Sequence, residues 1–222
     1  MGHSDLVVTI WNTELFPHKE NEIVDTWLKK IVGCYSEPQR FYHNLTHISH
    51  LLYLFDSFRS SINNPVVMLL AIYFHDIVYD PLSTDNESRS VLLFHEFFEQ
   101  VAEMYSNFNS FVKRNVSSFI QATTTHSLIE LETNELAEDL KLFLDFDLEV
   151  LSWPISDYLN YAENIRKEYS HLSAEEFCLG RKAVLVNFQK RKQIFFNDKF
   201  RTREDLARKN LDFEITELSH GL

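Results

Sequence analysis

A chain of 222 residues is long enough for one medium-sized domain with a core of its own, at the upper edge of what a single core serves. Its 45% hydrophobic and 24% charged residues exclude a disordered chain, and only four glycines and five prolines leave few places for the tight turns of an all-β fold. A formal net charge of −12 argues against general binding to a phosphate backbone, which needs a broad cationic face.

Apolar residues recur at helical spacing along almost the whole chain. In EIVDTWLKKIV, Ile23, Trp27 and Ile31 share one side with Val24 and Leu28, and Gly33 is read as the stop. LTHISHLLYLFDSF repeats at Ile48, Leu51, Leu52, Phe55 and Phe58. NPVVMLLAIYFHD starts with Pro65 just behind Asn63 and Asn64, a favourable helix start. It is short and almost wholly apolar, which predicts the central buried helix. STDNESRSVLLFHEFFEQVAEMY opens with Thr84 three residues before Glu87, the spacing of a capping box. Further helices are predicted at about 108–126, 135–149, 156–170, 174–193 and 203–219. No repeat, low-complexity tract or convincing linker appears, and Pro154 in DLEVLSWPISD marks the weakest connection. The expectation is all-α: one helical domain over 1–222, with a core at about 40–150 and C-terminal helices at about 155–220 packed on it.

Cys34 and Cys178 form no CxxC pair, and two cysteines cannot staple a chain this long, so a reduced cytoplasmic setting is expected. MGHSDLVVTIWNTEL lacks the pattern of a signal peptide, and no apolar run approaches the roughly 18 residues of a membrane span. The charge is uneven: residues 181–209 hold ten Lys/Arg against three Asp/Glu. A solvated, ion-paired face is the ordinary reading, and a phosphate-attracting wall is the sharper one.

Three short stretches carry ionisable groups where apolar ones are expected. RFYHNLTHISHLL places His43, His47 and His50 within eight positions, and His43 and His47, four apart, share one helix face. HDIVYDP puts His75 and Asp76 at the end of the apolar helix, where a carboxylate must find a cation or donors. In LKLFLDFDLEVL, Asp145 and Asp147 fall late in a helix, where negative charge suits the dipole poorly unless a cation is bound.

The ordered set YHNLTH, then FHDIVYDP with DNE, then DFDL resembles the HD superfamily of metal-dependent phosphohydrolases, and within it the bacterial group called predicted metal-dependent HD superfamily phosphohydrolases. The likeness extends through YAENIRKEYSHLS and GRKAVLVNF to EDLARKNLDFEITEL, most of the chain. It implies an HD-type helical bundle with additional C-terminal helices. It makes His47, His75, Asp76 and Asp147 the metal ligands, with Asp147 preferred over Asp145 as the last of them. YHNLTH is also similar to the YHNxxH of cyclic-nucleotide phosphodiesterases, which implies that His43 is an acid rather than a ligand. A mixed N/O donor set suits Mn, Fe, Co, Ni, Zn or Mg as the divalent ion.

Asp80, four beyond Asp76, is a second catalytic candidate, holding a water or a substrate hydroxyl, and its ordinary reading is a turn residue before Pro81. Asp145, His126, Glu87, Arg166 and Arg181 are candidates for orienting a ligand, holding a second metal or clamping a phosphate. His50 and His95 read as helix-surface or packing residues. The function implied is hydrolysis of a phosphate ester, of the nucleotide kind by superfamily habit, with a small phosphorylated substrate as partner and neither membrane nor nucleic acid. A homo-oligomer is compatible with the sequence. The alternative is a non-catalytic HD module that binds a nucleotide or metal and signals through a partner surface.

Overall fold

The computed structural model describes residues 2–17, 21–131 and 134–220. Among these the secondary structure is helical, with no strand. The α-helices are α1 His3–Ile10, α2 Glu22–Cys34, α3 Leu45–Ser57, α4 Pro65–Phe74, α5 Asn86–Val101, α6 Ser110–Thr123, α7 Ala137–Leu148, α8 Ile155–Glu168, α9 Ala174–Gln189 and α10 Glu204–His220. No described helix is long and apolar enough to cross a membrane. The chain forms two compact units, 1–143 and 144–222, and the division falls inside α7.

In the first unit α4 is the centre. Every residue from Val67 to Phe74 is buried, as an all-round apolar helix requires. Asn64 caps its N-terminus through Val67 N–H, with Pro65 in the first turn. Helices α3, α5 and α6 pack around it. Phe74 and Phe97 lie 5.0 Å apart at the head of an aromatic cluster that takes in Phe94, Trp27 and Trp11. Trp11 begins a π-helical turn, Trp11–Leu15, that follows α1 and places its ring 5.1 Å from Tyr73. The buried Asp139 carboxylate accepts the N–H groups of Asn63 and Asn64 at 2.9 and 2.8 Å, so a charge holds the start of the apolar helix.

One local expectation is corrected here. Thr84 and Glu87 do not form a capping box: α5 begins at Asn86 behind Asp85, with no side-chain cap. Asn86 instead exchanges two hydrogen bonds with the backbone of Asp80, at 3.0 and 2.8 Å, and this closed loop sets where the helix can start. A true capping box occurs at Ser173 and Glu176, at the head of α9. Gly33 also does not stop α2, which runs one residue further to Cys34.

In the second unit α10 packs on α9 and on the 3₁₀ turn Glu149–Ser152. Buried carboxylates organise this unit. Asp145 accepts Phe196 and Asn197 N–H at 2.8 and 2.7 Å, and Glu149 holds Arg203 and the Trp153 indole. Glu214 takes the Arg181 guanidinium through Nε at 2.8 Å and Nη2 at 3.1 Å, and also the Tyr158 hydroxyl. In the basic segment, Arg181, Arg201, Arg203 and Arg208 each meet a carboxylate, so ion pairing takes up part of its charge.

A buried pair of this kind is costly to halve and cheap to remove whole. Glu214→Leu is expected to lower stability by about 3–5 kcal/mol, and Arg181→Met combined with Glu214→Leu to recover most of it. Urea denaturation of both single variants and the double variant measures the coupling.

Candidate metal centre

Helix α3 is capped by Asn44, whose side chain accepts Thr46 N–H at 2.8 Å. That cap fixes the helix register, so His47 lies in the first turn and faces inward, with its side chain 1% exposed. His43, just before the cap, is 21% exposed and stacks on Tyr79 with ring centroids 4.4 Å apart. His75 closes α4, and its side chain is fully buried.

The His75 ring is held in one tautomer. Its Nδ1 lies 3.0 Å from the carbonyl of Ile72, so Nδ1 carries the hydrogen and Nε2 of the neutral ring presents a lone pair. That lone pair faces His47 Nε2 at 3.1 Å and a carboxylate oxygen of Asp76 at 3.2 Å. The same oxygen is 3.8 Å from His47 Nε2 and 4.0 Å from His43 Nε2. Two imidazole nitrogens and a carboxylate oxygen therefore converge in a buried place, where a cation could sit between them. The 3.1 Å separation of the imidazole nitrogens is also what two ligands on one ion, each at about 2.0–2.1 Å, produce.

Asp147 completes the group. It sits in the last turn of α7, and one ligand atom from each of His47, His75 and Asp147 lies within 4.8 Å of the other two. These three residues could hold a metal ion. Two imidazoles and a carboxylate are a donor set for a divalent first-row metal rather than a soft thiolate site. Asp145, two residues earlier and so on the far side of the helix, is instead fully buried and accepts the backbone of Phe196 and Asn197.

The other sequence candidates are placed as follows. Asp80 accepts Leu82 N–H at 2.9 Å, a turn contact, while its backbone pairs with Asn86. Glu87 is half-buried in the first turn of α5. His126 follows α6 with a left-handed φ of 44°, a region in which histidine is among the commoner non-glycine residues. Arg166 donates to the carbonyls of Tyr169 and Leu172 at 2.8 and 3.1 Å, closing the end of α8. Arg181 is engaged by Glu214 and lies 3.4 Å from the Tyr161 hydroxyl. His50 is half-buried on α3, and His95 pairs with Ser117 on α6 at 2.8 Å.

The residue that sequence reasoning missed is Arg40. Its side chain is 1% exposed, and its guanidinium reaches the carbonyls of Asp76 at 2.6 Å, Ile77 at 2.9 Å and His43 at 3.2 Å. It is packed against the rings of Tyr35 and Tyr79, and its Nε pairs with Glu37 at 2.9 Å. One cation thus ties the segment bearing His43 to the segment bearing Asp76. Tyr35 shares this environment: burial, followed by the charge of Asp76, pushes its phenol well above the usual range. The only signal in the sequence is an arginine three residues ahead of His43, which does not set it apart from the chain's other arginines.

Comparison of the chain with protein-family models, with curated proteins and with solved structures finds no match in any of the three.

Arg40→Lys keeps the charge but cannot reach three carbonyls at once. It is expected to weaken Mn²⁺ or Ni²⁺ binding about 10–100-fold, the range for residues that orient ligands without touching the ion. Isothermal titration of the purified chain with each metal checks this, and thermal unfolding of the same sample shows how much fold stability is lost.

Proposed function

We propose that the chain is a metal-dependent phosphohydrolase of the HD type, acting on a small phosphate ester. The observation that carries the reading is the convergence of His47, His75 and Asp147, with the Asp76 carboxylate beside both imidazoles. The order of these residues along the chain, H…HD…D, supports the same reading. Asp76 is assigned as the fourth ligand, on its 3.2 Å and 3.8 Å approaches to the two ring nitrogens.

A divalent ion held there would polarise a phosphoryl oxygen and supply a water acidic enough to ionise near neutral pH. The chain's own residues account for the rest. The Ile72 carbonyl holds Nδ1 of His75 and so orients its Nε2 toward His47 and Asp76, with both imidazoles buried. His43 is the group with both solvent access and a carboxylate neighbour, the position of a proton donor to the departing oxygen. Arg40 keeps the His43 and Asp76 backbones at fixed separation, so the donor and the ligand move together or not at all. The substrate class is a phosphate monoester or diester of nucleotide size, an assignment that rests on the resemblance.

The first experiment is metal content by mass spectrometry on chain purified without chelators or a metal-affinity column, beside His47→Ala and Asp147→Ala. About one transition metal per chain, lost in both variants, is expected. Metal without turnover on a panel of phosphate esters would favour the non-catalytic module, and no metal even after added Mn²⁺ or Ni²⁺ would overturn the proposal.

The donor role of His43 has its own test. His43→Ala is expected to cost about 10²–10⁴-fold in rate on an alkyl phosphate, whose leaving oxygen needs a proton, and much less on nitrophenyl phosphate. An unchanged rate on the alkyl ester would remove His43 from that role.

A further inference from the structure

A second cleft shares no residue with the metal-ligand group. It has a volume of about 360 Å³, within the usual range for small-molecule sites, and is walled by His95 of α5 and the first half of α6. Phe111, Asn115 and Ser118 stack on one face of α6, with Lys113, Arg114 and Ser117 beside them.

Two polar side chains of this cleft, Asn115 and His95, keep hydrogen-bonding capacity that the protein does not use. Asn115 is only 8% exposed, yet its amide makes a single hydrogen bond, donating to the Phe111 carbonyl at 2.8 Å. That bond fixes which end of the carboxamide is nitrogen and leaves the oxygen and the second N–H for a ligand. Ser117 donates to the Lys113 carbonyl at 2.8 Å and so accepts from His95 Nε2, also at 2.8 Å. His95 Nδ1 therefore presents a lone pair, and burial together with the Lys113 charge lowers the ring's pKa, keeping it neutral. Lys113 is shared with Glu99 at 2.5 Å, and Arg114 is exposed at the rim. In a chain of net charge −12, two adjacent cations beside a ring and a half-used carboxamide form a distinctive set.

We propose that this cleft binds an adenine nucleotide carrying one phosphate. The Asn115 carboxamide presents the acceptor and donor that an adenine edge matches with two parallel hydrogen bonds. Phe111 lines the cleft and supplies an aromatic ring for the base to pack on, and Arg114 with Lys113 takes the phosphate.

The test uses the full chain, labelled with ¹⁵N, and AMP as the probe. The Asn115 side-chain amide and His95 ring resonances are followed by NMR, with calorimetry for affinity. Saturable shifts of both residues are expected, persisting in His47→Ala, which separates this cleft from the proposed catalytic site. Asn115→Ala and Arg114→Ala are each expected to weaken binding about tenfold, and Arg114, being exposed, can be replaced without threatening the fold. No saturable shift of Asn115 and His95, shifts abolished by His47→Ala, or affinity unchanged in both cleft variants would overturn the proposal. Equal affinity for inorganic phosphate would overturn the adenine assignment.

Discussion

The complete burial of α4 is the constraint from which the site follows. Eight consecutive residues of that helix have no access to water, so the two ionisable residues that follow, His75 and Asp76, emerge where solvation is scarce. Each polar atom there must find a partner inside the protein. Ile72 takes one nitrogen of His75, and the other faces His47 Nε2 at 3.1 Å and the Asp76 carboxylate at 3.2 Å. A helix with a polar face could have turned these groups outward. This one cannot, so the groups meet inside the protein, where a metal ion could be held among them.

Arg40 answers a related problem on the backbone side. The chain leaving α4 has carbonyls at Asp76 and Ile77 that no helix accepts into its ladder. A planar fork of five donors can reach both while also holding the carbonyl of His43, and the flanking tyrosine rings cover its faces. Carboxylates do the matching work in the second unit, where Asp145, Glu149 and Glu214 each hold a turn or a helix pair from inside. Part of the chain's negative balance is therefore internal structure rather than surface charge.

Legibility from sequence followed range. The helices at 110–123, 137–148, 155–168, 174–189 and 204–220 lie within a few residues of where apolar spacing put them, because a helix is specified by residues three and four apart. The central burial of α4 was also readable, since an unbroken apolar run has no face to give to water. The start of α5 was not. The Thr84 and Glu87 pattern is local, but the boundary is set by Asn86 closing back on Asp80, a contact that competes with the cap and wins. Within the site, Asp145 and Asp147 are indistinguishable by type, and both stood as candidates on the residues alone. Two residues of helix rotation send Asp145 to backbone donors of its own unit and leave Asp147 as the aspartate of the group that could hold a metal ion.

By itself, then, the sequence determined an all-helical chain, an apolar helix ending in His75 and Asp76, and a short set of histidines and aspartates from which any metal group had to be drawn. Those properties depend on composition and short-range period. Only the tertiary structure decided that His47 and His75 meet at 3.1 Å, that Asp147 is the aspartate that could hold a metal ion with them, and that Arg40 ties the His43 and Asp76 segments together. Those depend on contacts between residues tens of positions apart, which no spacing along the chain specifies.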